Sequence, residues 1–497
     1  MPAATLIPFE LPLPHILPTI EGNVDYRDFR GQLRRLNRRL VPSELETQML
    51  AADLQRWLAR QKRVSAKAQQ NHQFHARRAL RGNRARLLIR ADYRGFAVRL
   101  ADSPLLQFFC GLSAVDRVVV PSKSTRQRYF LWGSEAAVRP LIQKLLVQGA
   151  QSPEQLELAE PLDLENAFLD SPCRCANSHH PVDWVLLRDA TRTLMGSVRL
   201  IRAQGLRHRM EEPETLIGRI NGLCLKMTHV WNRKDPSASR RQRKQTLRQM
   251  DRLVGTVRNH AGRYRELRDA HWERTDWTRP QAEQVRRRMA RVLEQLPTAR
   301  QQARPRILTG QLVANEEKIL RLDEADVRVL VRKKAGAEVE FGNTLFLAEN
   351  PQGLIMDGEL FRESAPADAA QLPRSLARMQ QAYAPGPKAL GADRGLDSAL
   401  NRFGLAAEPI YNAVWPRSPA QLRQRNRSWK FKRRQRRRAQ TEGRLGIVKN
   451  VFLGGRMRRK GFPGRELTGT WTVLVHNLWV LARLPQAEAA EAQRRAA

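Results

Sequence analysis

The spacing of apolar residues divides this chain into a long region of helical rhythm and a shorter one of strand rhythm. From Tyr26 to about Gln151 apolar positions recur at three and four, with Arg and Lys scattered between them. Within this stretch "LADSPLLQFFCGL" predicts an apolar helix around Phe108. "VPSKSTRQRYFLW" predicts a second, capped by Ser122 or Ser124, with Lys123, Arg126 and Arg128 in its first turns. Two helices joined by a short turn, the second basic near its start, suit a helix-turn-helix reader of DNA, although any helical hairpin on a basic protein has this look. "LENAFLDSPCRCANS" (164–178) reads as a strand carrying Asp170, and "DWVLLRDATRTLMGSVRLIRAQG" as a helix. Long charged helices then continue to about Pro305, as an inserted subdomain that either grips DNA or is a solvated arm.

Beyond that point the rhythm becomes two. "AEVEFGNTLFLAE" and "GLIMDGELF", separated by "NPQG", predict a β-hairpin. "AQLPRSLARMQQAY" follows as a helix and "KALGA" as a strand ending at Asp393. After a basic stretch come the helices "QTEGRLGIVKNVF" and "ELTGTWTVLVHNLWVLARL". Strand, helical insert, two strands, helix, strand and two helices is the element order of a ribonuclease-H-like α/β domain. The organisation expected is an irregular Pro-rich N-terminus (1–25), a helical DNA-binding region (26–151), an α/β catalytic domain (160–484) with a helical insertion at about 195–330, and a C-terminal tail (485–497).

Charge changes this picture most. Eighty-eight Lys and Arg against 49 Asp and Glu leave a formal net charge of +39, and the pI is about 11.4. Self-repulsion on that scale calls for an anionic partner, and nucleic acid fits because its phosphates exchange counterions for protein cations. A membrane surface is the rival, but no basic amphipathic helix has a rich aromatic face, and no stretch of eighteen apolar residues exists. The N-terminus lacks the basic and apolar regions of a signal peptide. Four cysteines make no disulfide framework, which fits a reducing cytoplasm.

Three carboxylates now stand out. Asp393 sits at the C-terminal end of a strand, where open α/β sheets place ligands. Asp170 lies on the first strand, its neighbour in such a fold, and Glu442 on a helix able to pack against that sheet. Carboxylates converging on one point repel unless divalent cations sit between them, and Mg²⁺, with Mn²⁺ as a substitute, binds through a few carboxylates and phosphate oxygens. Arg438, Glu442 and Lys449 are spaced four and then seven, which returns to within roughly 40° of one helical direction. That face either holds phosphate beside a metal-binding Glu or is an ordinary solvated face. The run "RQRNRSWKFKRRQRRR" (423–438), with Lys432, Arg436 and Arg437 around Trp429 and Phe431, suits phosphate contact and base stacking. Cys173-x-Cys175 with His179 and His180 lacks zinc-knuckle spacing and reads as a packed strand face. Trp184, Trp471 and Trp479 read as core, and His476-Asn477 as a buried polar pair.

The segments "LDSPCRCAN", "PVDWVLLRDATRT", "EVEFGNTLFLAENPQGLIMDGELF", "ADRGLDSALNR", "QTEGRLGIVKNVFLGG" and "VLVHNLWVLARL" together resemble a bacterial insertion-sequence transposase of the DDE type, over roughly residues 90–484. The resemblance implies that Asp170, Asp393 and Glu442 are the three metal-binding acids. It maps the family's Tyr-x2-Arg-x3-Glu-x6-Lys signature onto Arg438, Glu442 and Lys449, with Gln435 standing in the Tyr position. Such enzymes cut the ends of their own mobile element and join them to target DNA. Double-stranded DNA, a homo-oligomer assembled on it and a cytoplasmic, nucleoid-associated location are the expectations that follow. Asp170 is followed by Ser171-Pro172 where relatives tend to have two Thr. Asp183 and Asp189 are therefore the alternative first acids, and Asp163 and Asp357 are also within reach. A catalytically inert DNA-binding copy and a nuclease that cuts without joining are the rival functions.

Overall fold

The computed structural model of the chain describes residues 21–486 except 41–43, 62, 113–117, 125–126, 128–134, 177–181, 232–235, 335–336, 364, 455, 457–458 and 460. The architecture is mixed α/β and mostly helical. The N-terminal region runs α1 (Val24–Leu40), α2 (Leu45–Leu58), α3 (Ala66–Leu88), α4 (Tyr93–Asp102), α5 (Pro104–Cys110) and α6 (Glu135–Gln151). Then come β1 (Asn166–Asp170) and β2 (Cys173–Cys175), followed by four long helices: α7 (Asp183–Ala203), α8 (Pro213–Trp231), α9 (Pro236–His271) and α10 (Arg279–Arg304). The chain returns through β3 (Arg328–Lys334), β4 (Ala337–Glu349) and β5 (Ile355–Leu360) to α11 (Asp368–Ala382). β6 (Ala389–Ala392), α12 (Ala399–Ala407), β7 (Tyr411–Val414), α13 (Pro419–Arg425), α14 (Trp429–Gly446) and α15 (Phe462–Leu481) complete it.

β4 organises the sheet. Leu347 pairs with both Asp170 and Gly358, so β1 and β5 lie on opposite edges of its C-terminal half. Gly342 pairs with both Cys175 and Arg328, so β2 and β3 flank its N-terminal half in the same way. β6 adds parallel to β1, and β7 parallel to β6. The central order is therefore β5-β4-β1-β6-β7, with β4 antiparallel to its neighbours. Ser171-Pro172 interrupts the first strand without a bulge. Asp170 faces Leu347, Cys173 faces Thr344, and Leu345 N–H donates to the Pro172 carbonyl at 2.9 Å, so one register runs through both halves. Proline is tolerated because the ladder there uses its carbonyl, not the N–H it lacks.

Two large cores result. The N-terminal helices have no separate interior: Leu33, Leu80, Phe96 and Leu146 pack in one cluster with Ala167, Leu390 and Trp471. The long helices α7–α10 bury their own, around Leu194, Ile220, Val254, Tyr264, Met289 and Leu296. The insert is thus a packed bundle rather than a solvated arm. Its base holds Asp183, 4% exposed, which accepts from Gln302 at 2.7 Å and Arg306 at 2.8 Å.

The apolar α15 carries the expected buried polar pair. Asn477 brackets the Ile355 backbone, accepting from its N–H at 2.8 Å and donating to its carbonyl at 2.9 Å. His476 is buried between Phe452 and Trp479, and that burial lowers its pKa to about 4. Above pH 6.5 the imidazole is neutral folded or unfolded. Between pH 6.5 and 4 only the unfolded chain takes up the proton, so stability falls across that window and levels below it. The shift corresponds to about 3 kcal/mol. We expect urea midpoints to fall more between pH 7 and pH 4.5 for wild type than for His476→Gln. Equal falls would show that this histidine does not govern the acid response.

Candidate active site at the ends of the first and fourth central strands

Two short apolar strands deliver the first two acids. In β1 and β6 every side chain from Ala167 to Leu169 and from Ala389 to Ala392 is buried, and each run ends in Asp. Their parallel register pairs Leu169 with Ala392. One step further sets Asp170 beside Asp393 on adjacent strands, about 4.8 Å apart along the backbone. Gly391 makes the approach of the strands' side chains possible. It lies opposite Phe168, and a Cβ there would stand 2.8 Å from that ring. Each acid is oriented by a backbone N–H: Ser171 N–H donates to Asp170 Oδ1 at 2.9 Å, and Gly395 N–H to Asp393 Oδ1 at 2.9 Å. Ser171 Oγ donates in turn to Asp368 Oδ1 at 3.0 Å, which brings a fourth carboxylate to the rim.

The third acid arrives on α14. The basic stretch that sequence reading left without structure is the first half of this helix, which begins at Trp429 under a Ser428 cap. Three side chains clamp it onto the sheet. Arg434 donates to Asn166 Oδ1 at 3.0 Å, Gln435 to the Ala413 carbonyl of β7, and Arg437 to Glu349 Oε1 and the Asn350 carbonyl, both at 2.8 Å. The Arg437 guanidinium also covers the Phe168 ring at 4.8 Å. Gln435, in the expected Tyr position, is therefore a buried structural contact. Arg437 corrects an expectation: its guanidinium faces the sheet, not solvent, because Glu349 is wholly buried and needs a counter-charge. Phe431 is buried too, at 1% exposure, and offers no face for stacking.

The clamp leaves Glu442 exposed and brings Arg438 Nη2 to 4.0 Å from Asp393 Oδ2. Burial pushes the Asp170 carboxyl above its ordinary range, and the charges of Asp393 and Glu442 push it further. The Ser171 N–H and the Arg438 guanidinium oppose them. The acids and Arg438 thus share one electrostatic centre, with three carboxylates against one cation. The three acids are not all within 4.8 Å of one another; among the described residues a group of three that close is Cys173, Cys175 and Glu340. Oxygen donors with excess negative charge suit hard divalent cations.

Lys449 departs from the single-face expectation. The helix loosens to a π-helical segment at Ile447–Phe452, and Lys449 Nζ lies 3.7 Å from Glu340 Oε1. The neighbouring Cys175 thiol is drawn down to about 7, chiefly by a hydrogen bond with Cys173 and also by Lys449, against burial and Glu340. Lys432, Arg433 and Arg436 form the exposed cationic side of α14, and Trp429 is 69% exposed with Arg433 over its ring at 5.4 Å.

The alternative first acids are engaged elsewhere. Asp183 anchors the insert, Asp189 pairs with Arg188 at 2.8 Å, and Asp163 accepts from the Glu165 and Asn166 N–H groups. Asp357 is buried against Arg378 at 2.7 Å and Ser375 at 2.6 Å. Toward the N-terminus, the Phe108 helix is α5, and Lys123 is exposed. Arg126 and most of the expected second helix lie outside the described residues. No helix among the described residues is long and apolar enough to cross a membrane. No family model, curated protein or solved structure matches this chain.

Proposed function

We propose that the protein is a DDE transposase with a ribonuclease-H-like catalytic domain, cutting the ends of its mobile element and joining them to target DNA. The observation that carries this reading is that Asp170 and Asp393 each follow the paired Leu169 and Ala392 of adjacent parallel strands, and that the charges of Asp393, Glu442 and Arg438 act on Asp170. The strand order β5-β4-β1-β6-β7 supports the fold assignment. Asp170, Asp393 and Glu442 would hold Mg²⁺ or Mn²⁺. Bound there, the cations supply an activated nucleophile and stabilise the leaving 3′-oxygen. Arg438 positions a phosphate against the acids through its fixed donor fork. Water attacks the phosphodiester at the element end, and the freed 3′-hydroxyl then attacks a target phosphodiester in line. The steps need no covalent link to the protein. Cutting two ends of one element fits a homo-oligomer assembled on DNA in the nucleoid.

Duplexes taken from the DNA flanking the gene, offered with supercoiled plasmid and Mg²⁺ or Mn²⁺, test the proposal. Joined products support it. Cleavage without joining would leave a nuclease, and binding alone an inert copy. The exposed face of α14 carries a separate expectation. Lys432→Ala with Arg436→Ala should make the dependence of log affinity on log salt shallower by about 1.8, two phosphate contacts at about 0.9 each. An unchanged slope would mean that this face does not touch DNA.

A further inference from the structure

We propose that Cys173, Cys175 and Glu340 form a binding site for a thiophilic divalent cation, zinc foremost, separate from the carboxylate cluster. The Cys-x-Cys spacing does not suit a turn-based zinc knuckle, but on a strand it has a different meaning. Alternation places both thiols on one face of β2. The residue paired with Cys175 is Gly342, which has no side chain to intervene, and Glu340 lies two residues further along β4, on the same face. The ligand atoms of all three lie within 4.8 Å of one another, and Cys175 Sγ stands 3.7 Å from Glu340 Oε1. Zinc bonds of about 2.3 Å to sulfur and 2.0 Å to oxygen, at a tetrahedral angle, set that separation at about 3.5 Å.

Charge fits as well. Two thiolates and a carboxylate around a dication leave one negative charge, and Lys449 Nζ, 3.7 Å from Glu340 Oε1, balances it. Three protein ligands leave the fourth position to water. Sulfur selects a softer ion than the all-oxygen donors of Asp170, Asp393 and Glu442. The ion would tie β2 to β4 immediately beyond the Ser171-Pro172 break, three residues from Asp170.

Cobalt titration of chelator-stripped full-length protein tests this. We expect one equivalent of Co²⁺ to give a near-ultraviolet thiolate-to-metal band that one equivalent of zinc abolishes and excess Mg²⁺ leaves intact. The band should be lost in Cys173→Ser/Cys175→Ser and weakened in Cys175→Ser, each checked for native circular dichroism. Glu340→Gln should keep the band and weaken affinity about 10-fold or more. Cys110→Ser/Cys224→Ser and Asp393→Asn should bind as wild type, which separates this site from the proposed catalytic one. No thiolate band in wild type, or a band unchanged in Cys175→Ser, overturns the proposal. If the double variant does not fold, the Cys175→Ser and Glu340→Gln titrations decide alone.

Discussion

Asp393→Asn should abolish cleavage and joining while leaving DNA binding intact. The substitution keeps the side-chain shape and an oxygen to accept from Gly395 N–H, so the turn after β6 survives. It removes one of the negative charges converging on Asp170. Affinity for divalent cations should fall, and both steps with it, by at least ~100-fold, since in the proposed mechanism one ion set would serve nucleophile and leaving group alike. DNA affinity should be unchanged or slightly tighter, because a carboxylate that faced phosphate has been neutralised. The measurement is a pre-cut end with supercoiled target, wild type beside variant, with binding followed by mobility shift. A variant that cuts as well as wild type removes Asp393 from the site, whatever the fold.

Arg437→Ala should be the most damaging single change in the basic run, and through stability rather than DNA contact. It leaves Glu349 wholly buried without its 2.8 Å partner and removes one of the two donors to each of the Asn350 and Pro351 carbonyls, which Gly353 N–H and Arg444 still hold. Burial alone already pushes the Glu349 carboxyl upward. Removing one partner of a buried pair costs about 3–5 kcal/mol. For a chain of 497 residues melting as one unit, that corresponds to a drop in Tm of about 3–5 °C. Arg436→Ala, exposed one position earlier, should leave Tm within about 1 °C, as surface changes do. Adding Glu349→Gln to Arg437→Ala should recover part of the loss. Equal melting of the Arg436 and Arg437 variants would sink this account.

These two neighbours show where sequence reading works and where it stops. The places of Asp170 and Asp393 at strand ends were legible because each follows a short all-apolar run, a pattern that survives without knowledge of partners. The hairpin of β4 and β5 was legible from its period of two. β7 was not: Tyr411-Asn412-Ala413-Val414 is four residues with no alternation, stabilised by pairing to β6. β3 was hidden because Arg328-Val329-Leu330-Val331 runs into three basic residues and looks like a charged connection. The run at 429–438 was read by its cations and aromatics, without an element for most of its length. Its good helix formers, with Phe431 and Gln435 buried four apart, carried a helix signal that the cations masked. Charge counts also give no direction, so Arg437, turned inward, looked the same as Arg436, turned outward.

The pairing of β1 with β4 joins Asp170 to Leu347 across the whole helical bundle. An open chain would meet a loop-closure entropy cost in that encounter, growing only slowly, as about (3/2)RT ln n, with the length spanned. The bundle shortens the search. Its interior is its own, and the strands that precede and follow it in the chain, β2 and β3, lie on either side of Gly342, two strand spacings or about 10 Å apart. Once α7–α10 have condensed, β2 and β3 are delivered already close, with a single slot between them for β4. Pulse-labelled hydrogen exchange should therefore protect Leu194–Ala303 before the β1 amides. The proposed catalytic centre would then assemble only after the bundle, and a nascent chain would hold its acids apart until the sheet had closed.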